Sequence, residues 1–268
     1  MKRRGVEAWA VFFLATVLHA QLSVPQLGFA RFADGSVHAI QGVAANLIVS
    51  PRAVATANRA SFSNAGGLTA KNGLIQLWDA SGKQLASYQS DEALPLVNID
   101  SSLQTAIAWL PSSHVLLTWD GTTLVARPLD DAGFEGTVTF VRLESAAIAQ
   151  FFLVQANSKV AKASVSLPSG RLISSDILPG PHGVLFVQSG WILSQSDEGL
   201  VAEMPDGYRQ TISLLRNPLL TGDLTIERMS TDWLHVSSQA TGASWAIFLS
   251  GTKLNVSVMP HTSKGVAR

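Results

Sequence analysis

A glycine-bearing turn recurs along this chain: "FADGSV" at 32–37, "WDASGK" at 78–83, "WDGTTL" at 119–124, "LPSGRL" at 167–172, "MPDGYR" at 204–209 and "LSGTKL" at 249–254. Each copy follows an apolar strand end and leads into another strand. Glycine fits because tight hairpin turns need positive φ, which other residues adopt at a cost. The turn glycines are Gly35, Gly82, Gly121, Gly170, Gly207 and Gly251, spaced 37 to 49 residues apart, about 43 on average. Each interval holds roughly four strand-like segments, the spacing of a propeller blade. A lone four-stranded sheet cannot bury both faces. Stacking such sheets radially buries the faces between neighbours, and closing the ring removes the open ends.

The segments between turns support an all-β chain. "TVTFVRL" (137–143), "QFFLVQ" (150–155), "VLFVQ" (184–188), "GWILSQ" (190–195), "WAIFLS" (245–250) and "KLNVSVM" (253–259) are rich in β-branched and aromatic residues. In the last, Leu254, Val256 and Val258 share one face while Asn255 and Ser257 take the other. No stretch carries apolar residues at helical spacing over three turns. Ala53 to Ala60 reads as a short helix or as strand equally well.

"LIQLWDASGKQLASY" (74–88) resembles the third and fourth strands of a tryptophan–aspartate-repeat propeller, in which the dipeptide ends the third strand. "HVLLTWDGTTLVARP" (114–128) matches it again. The other four units lack the dipeptide, so the likeness extends equally to the looser repeats of bacterial exported propellers, including quinoprotein-like ones. The resemblance implies the β-propeller superfamily over residues 28 to 260 and no particular family within it. The expected fold is a single β-propeller of six blades, with five as the other count, each of four antiparallel strands. The first hairpin (29–40) has no inner strands ahead of it. One blade is therefore incomplete, or is closed by joining N- and C-terminal strands. The alternative architecture is two tandem β-sandwich domains, which would show about seven strands per half and no such period.

The N-terminus reads as a secretory signal peptide. Lys2, Arg3 and Arg4 form a positive head, residues 8–18 ("AWAVFFLATVL") an apolar stretch, and Ala20 is a small residue before a cut at Gln21. The apolar run has 11 residues, too short for a membrane anchor, which needs about 20. The expected organisation is a signal peptide over 1–20, a propeller over 21–260 and a disordered tail over 261–268. There is no cysteine, hence no disulfide, no thiolate metal site and no cysteine nucleophile. An exported chain of this kind holds together by burial and sheet pairing, which fits a bacterial periplasmic or secreted protein. Charged residues are 14% and the 19 basic and 19 acidic side chains cancel. Without a basic stripe to neutralise phosphates, no nucleic-acid partner is expected.

The residues that carry chemistry are scattered. His38, His114, His182, His235 and His261 lie too far apart in sequence for a local metal pair. Asp130, Asp131 and Glu135 share one loop and make an acidic cluster that solvent alone explains. The loops 129–136 and 178–183 read as plain connections between blades. No G-x-S-x-G elbow and no P-loop appear. Asp100, Glu144 and Glu227 sit near the starts or ends of expected inner strands, where they can line the channel mouth as paired carboxylates or, equally, form neutral ion pairs between blades. In "TVTFVRLE", Val138, Phe140, Arg142 and Glu144 share a face; Glu227 and Arg228 face opposite ways. Trp78, Trp109, Trp119, Trp191, Trp233 and Trp245 fall at or beside strands and are expected to pack between sheets.

These readings assign no catalytic, cofactor-binding or metal residue, and no cofactor. The first functional expectation is an exported, non-enzymatic binding or scaffolding module, monomeric and without a membrane span after processing. Its partner, a protein or a small molecule, would meet the loops at one end of the ring. The alternative is a periplasmic or secreted hydrolase or lyase with acids and histidines gathered at the channel. A third is a propeller that completes itself by oligomerising.

Overall fold

The computed structural model describes residues 24–130, 133–183, 185–196, 199–204, 206–213 and 224–260. The proposed cleavage site at Ala20 and Gln21, the tail 261–268 and Asp131 lie outside the described residues, as do the side chain of His182 and the whole of His261.

Six antiparallel sheets follow one another along the chain. Blade 1 has β1 (Gln26–Arg31), β2 (Ser36–Val43) and β3 (Asn46–Thr56). Blade 2 has β4 (Arg59–Ser63), β5 (Gly66–Lys71), β6 (Leu74–Asp79) and β7 (Gln84–Gln89). Blade 3 has β8 (Leu96–Asn98), β9 (Ile107–Leu110), β10 (Val115–Trp119) and β11 (Leu124–Pro128), with a 3-10 turn at Leu103–Thr105. Blade 4 has β12 (Thr137–Ser145), β13 (Ile148–Val154), β14 (Lys159–Ser166) and β15 (Arg171–His182). Blade 5 has β16 (Leu185–Gln188), β17 (Trp191–Ser196), β18 (Gly199–Glu203) and β19 (Arg209–Ser213). Blade 6 has β20 (Leu224–Arg228), β21 (Trp233–Ser238), β22 (Ser244–Ser250) and β23 (Lys253–Val258). The chain is a six-bladed propeller. Among the described residues five blades have four strands, and the three-stranded one is the first.

The first strands of blades 2 to 6 line the channel. β4 touches β8, β8 touches β12, and β12 touches β16. β20 then touches β4 directly, bypassing blade 1. β1 lies behind this junction, against β4 and against the second strand of blade 6, β21. Its direction follows from its partners. Phe29 N donates to Met229 O, and two residues on, Arg31 meets Glu227, two residues back. β1 therefore runs antiparallel to β20, as a second strand does. The two-residue link from β3 to β4 agrees, since it makes β3 a fourth strand. Among the described residues blade 1 has no innermost strand and shares no strand with blade 6.

The turn at 32–37 thus joins second to third strand, whereas the other five repeats of that turn join third to fourth. Gly35 O accepts from Ala57 N, placing it beside the β3–β4 link at the opposite end of the ring. The aspartates of the two Trp–Asp pairs act locally. Asp79 Oδ1 accepts from Ser81 N at 2.9 Å and Lys83 N at 3.0 Å. Asp120 Oδ1 accepts from Thr122 N and Thr123 N, each at 2.8 Å. Such side-chain acceptors mimic a backbone turn, and these bonds hold both carboxyls below their ordinary range.

Apolar layers fill the seams between blades. Trp109 and Phe151 centre blades 3 and 4, and Trp191 and Trp245 belong to the layer shared by blades 4, 5 and 6. Trp233 packs at the seam of blades 6 and 1 beside Phe32 and Met229. The segment 53–60 is the end of β3, a two-residue link and the start of β4, not a helix. In β23 the Leu254, Val256, Val258 face is an outer edge: Val256 is 38% and Val258 62% exposed.

The blade 6–blade 1 seam is closed by packing rather than by a shared strand. Ser257 Oγ donates to Ala44 O across it. Gly28 is required there, since a Cβ at its φ of +151° would stand 2.2 Å from Met229 O. His235 is buried in this seam against Phe32, and neither ring nitrogen has a hydrogen-bond partner. Burial, with Arg31 nearby, pushes its pKa down to about 3. The native state therefore refuses a proton that the unfolded chain accepts below about pH 6.5, so stability is full above that value and falls as pH drops. Urea midpoints taken from pH 7 to pH 4 should show this loss. In His235→Leu the slope should shrink by about 1.4 kcal/mol per pH unit, one proton's worth. An unchanged slope would show that His235 is protonated in the fold.

Candidate functional site: the central channel

The channel holds a cavity of about 260 Å3. Its walls are apolar: Leu96 and Val97 from β8, Val138, Phe140 and Val141 from β12, Phe186 from β16, Leu224 and Ile226 from β20. The alternation expected in 137–144 is broken, because the β12–β13 register shifts between Val138 and Phe140. Four consecutive residues, Val138 to Val141, consequently line the cavity.

One end of the cavity is closed by Arg228. From the end of β20 it reaches Asp100, just past β8 on a non-neighbouring blade, at 3.3 Å. Its guanidinium also lies over the Phe186 ring, 5.7 Å from the centroid. Burial pushes the Arg228 pKa down to about 10, against the pull of Asp100 and Asp232, so it stays charged at neutral pH. The other end opens among the first residues of the inner strands. Arg59, Leu96, Val138, Leu224 and Thr225 surround it, with Gln239 from the β21–β22 turn.

Glu227 is the buried acid of the channel wall. It receives Arg31 Nε on both oxygens, at 3.0 and 2.9 Å, and the backbone N–H of Ala60 at 3.3 Å. Burial pushes its carboxyl up, while Arg31, Arg59 and the Ala60 N–H pull it back. Arg59 stands close enough to feel Glu227 but makes no ion pair with it among the described residues. Burial pushes the Arg59 guanidinium down. Its Nε is enclosed with no partner.

The sequence candidates divide clearly. Glu227 lines the channel cavity, and Asp100, outside its lining, reaches it only through Arg228; each acid is held by an arginine. Glu144 is exposed near the end of β12. His38 lies behind blade 1, its Nδ1 donating to Ser50 O at 2.7 Å, and Phe32 stands between it and His235. His114 occupies the β9–β10 turn. Among the described residues no three potential metal ligands come together. The acidic loop is only partly described, as Asp130 and Glu135. Arg31 and Arg59 were not singled out from sequence. The available signal was a cation inside a short apolar strand, which is rarely buried without a partner.

A second concavity of about 530 Å3 lies between blades 1 and 2. Phe29, Phe62, Val54 and Trp78 line it, with Asn64, Asp79 and Ser81 at its rim. This seam has the smallest apolar filling, Val37, Ala57, Ala60 and Phe62 with Phe29 against them. Gly67 admits no Cβ, which would stand 2.5 Å from the Phe62 ring.

Glu227→Gln should destabilise the fold by about 3–5 kcal/mol, because it strands a buried Arg31. The double variant Arg31→Met, Glu227→Leu should recover most of that loss. Guanidinium unfolding of the three chains checks both. Equal stability of Glu227→Gln and the parent would show that the pair contributes nothing to closure.

No protein-family model matches the chain, and no curated protein matches it. Among solved structures it is similar to Kuenenia stuttgartiensis hydrazine synthase, at 8% identity and a TM-score of 0.45, over 87% of this chain and 80% of that one. It is also similar to BamB from Moraxella catarrhalis, at 13% identity and a TM-score of 0.34, over 86% and 72% of the two chains. U3-55K matches at 12% identity and a TM-score of 0.43, over 89% and 81%. These likenesses concern the course of the chain only. The propeller fold rests on the strand order and contacts above.

Proposed function

We propose that the chain is an exported, non-catalytic binding module that takes a small molecule into its central channel. One observation carries this reading: Glu227, the acid among the described residues that line the cavity, is engaged as an ion-pair partner by Arg31, and Asp100, beyond the closed end, by Arg228. A general acid or base must exchange its proton with substrate at working pH. Glu227 instead spends its oxygens on an arginine and on a backbone N–H. What remains is an apolar cavity with a few fixed polar groups, the usual form of a ligand site. Export is supported by the positive head, the 11-residue apolar run and Ala20. No helix among the described residues is long and apolar enough to cross a membrane.

Thermal-shift screening of the purified mature chain against small organic compounds tests the binding reading. Hits should raise Tm and be recovered chemically unchanged after prolonged incubation. Consumption of a hit by the parent chain would establish the hydrolase or lyase alternative instead. Intact-mass measurement of the exported protein should give a chain beginning at Gln21. An uncut N-terminus in the exported fraction would remove the signal-peptide assignment.

A further inference from the structure

The polar groups of the channel wall can be accounted for one by one. Glu227 is held by Arg31 and by Ala60 N–H. Arg228 is held by Asp100 and lies against Phe186. Gln239 Nε2 donates to Thr225 Oγ1 at 3.0 Å. Thr139 Oγ1 donates to Phe152 O at 3.3 Å. Arg59 and Arg228 each keep an enclosed Nε without a hydrogen bond, but Arg228 has Asp100 as its ion-pair partner, whereas Arg59 has no ion pair among the described residues. Charge leads to the same residue. Arg31, Arg59 and Glu227 form one cluster of two cations and one anion. A half-buried guanidinium that shares its nearby anion with a second arginine is left short of counter-charge, and a further anion would supply it.

We infer that the channel binds a small organic monoanion with an apolar body, its carboxylate on the Arg59 guanidinium at the mouth and its hydrocarbon part against the Leu96, Val138, Phe140, Phe186 and Leu224 wall. A planar guanidinium matches a carboxylate better than any other side chain does. Thr225 Oγ1 accepts from Gln239 and keeps its own proton, so it can donate to the same anion. The far end is closed by the Arg228–Asp100 pair, which limits the ligand's length. The cavity of about 260 Å3 suits a body of a few carbons. The inference rests on the channel being the binding site, and it adds the ligand's charge and the residue that reads it.

Calorimetric titration of the mature chain with hexanoate, hexan-1-ol, hexylammonium and inorganic phosphate tests it. Hexanoate should bind most tightly, hexan-1-ol about tenfold more weakly or worse, and hexylammonium and phosphate weakest of all. Arg59→Met should remove the preference for hexanoate over hexan-1-ol while leaving the alcohol's affinity unchanged. Val138→Trp, which fills the cavity, should weaken both, and far-UV circular dichroism should show both variants folded. If hexanoate and hexan-1-ol bind equally and Val138→Trp weakens both, the channel binds ligands but the anion assignment is wrong. Preference for hexanoate that survives Arg59→Met places the anion elsewhere and overturns the role of Arg59. Failure of all four probes to bind overturns the channel as the site.

Discussion

The carboxylate of Glu227 joins three blades at the place where blade 1 has no inner strand among the described residues. It sits on blade 6, takes the side chain of Arg31 from blade 1, and accepts the backbone N–H of Ala60 from blade 2. Elsewhere around the channel, neighbouring blades meet through filled apolar layers. Here β20 and β4 come together as two strand ends with no ladder between them. An enclosed N–H such as that of Ala60 needs an acceptor, and a bare apolar contact would not supply one. A charged acceptor does, and Arg31 then compensates the charge from behind. The ring closes through this pair, through Phe29 N–H on Met229 O, and through the Trp233 layer.

That solution leaves a residue of charge. Burying one carboxylate with one arginine is close to neutral at best, but two arginines face Glu227. Arg31 takes both oxygens, so Arg59 contributes through distance alone. The excess positive charge appears at the channel mouth because β4 begins there. Among the described residues five inner strands line the axis, and β1 contributes from behind rather than to the wall. Phe140 and Phe186, with ring centroids 4.6 Å apart, occupy much of what remains.

What was legible in the sequence is what the backbone needs locally. Gly82, Gly121, Gly170, Gly207 and Gly251 mark the third-to-fourth turn of five blades, and each takes positive φ in the structure. Gly35 takes positive φ too, but in a different hairpin. A D-G turn reports the dihedral angles of a tight hairpin, not which strands it joins, so the first unit could be found without being placed. The place of β1 was invisible for a related reason: strand composition does not reveal a strand's neighbours. Arg31 and Glu227 stand 196 residues apart, and only ring closure brings them together. The β12 bulge is a register effect between two strands, which no alternation within 137–144 could disclose. The Ala-rich stretch 53–60 looked ambiguous because small residues suit a helix as well as an open seam. Its alanines serve the seam, where Ala57 and Ala60 are buried but too small to fill it.

The seam between blades 1 and 2 is the counterpart of the narrow channel. With its strands in second, third and fourth place, blade 1 presents no inner residue to complete the layer against blade 2. Phe29 and Phe62 meet at 5.3 Å and form a floor, and Gly66, Gly67 and Ala55 leave the space above them open. Both concavities border the place of β1, behind the β20–β4 junction. Their openings differ in place. The channel opens where Arg59 and Gln239 sit, at the end of the second-to-third turns. The groove's polar rim, Asn64, Asp79 and Ser81, belongs to the end carrying the third-to-fourth turns. A molecule entering the channel therefore leaves that rim uncovered, and the two surfaces can be occupied independently.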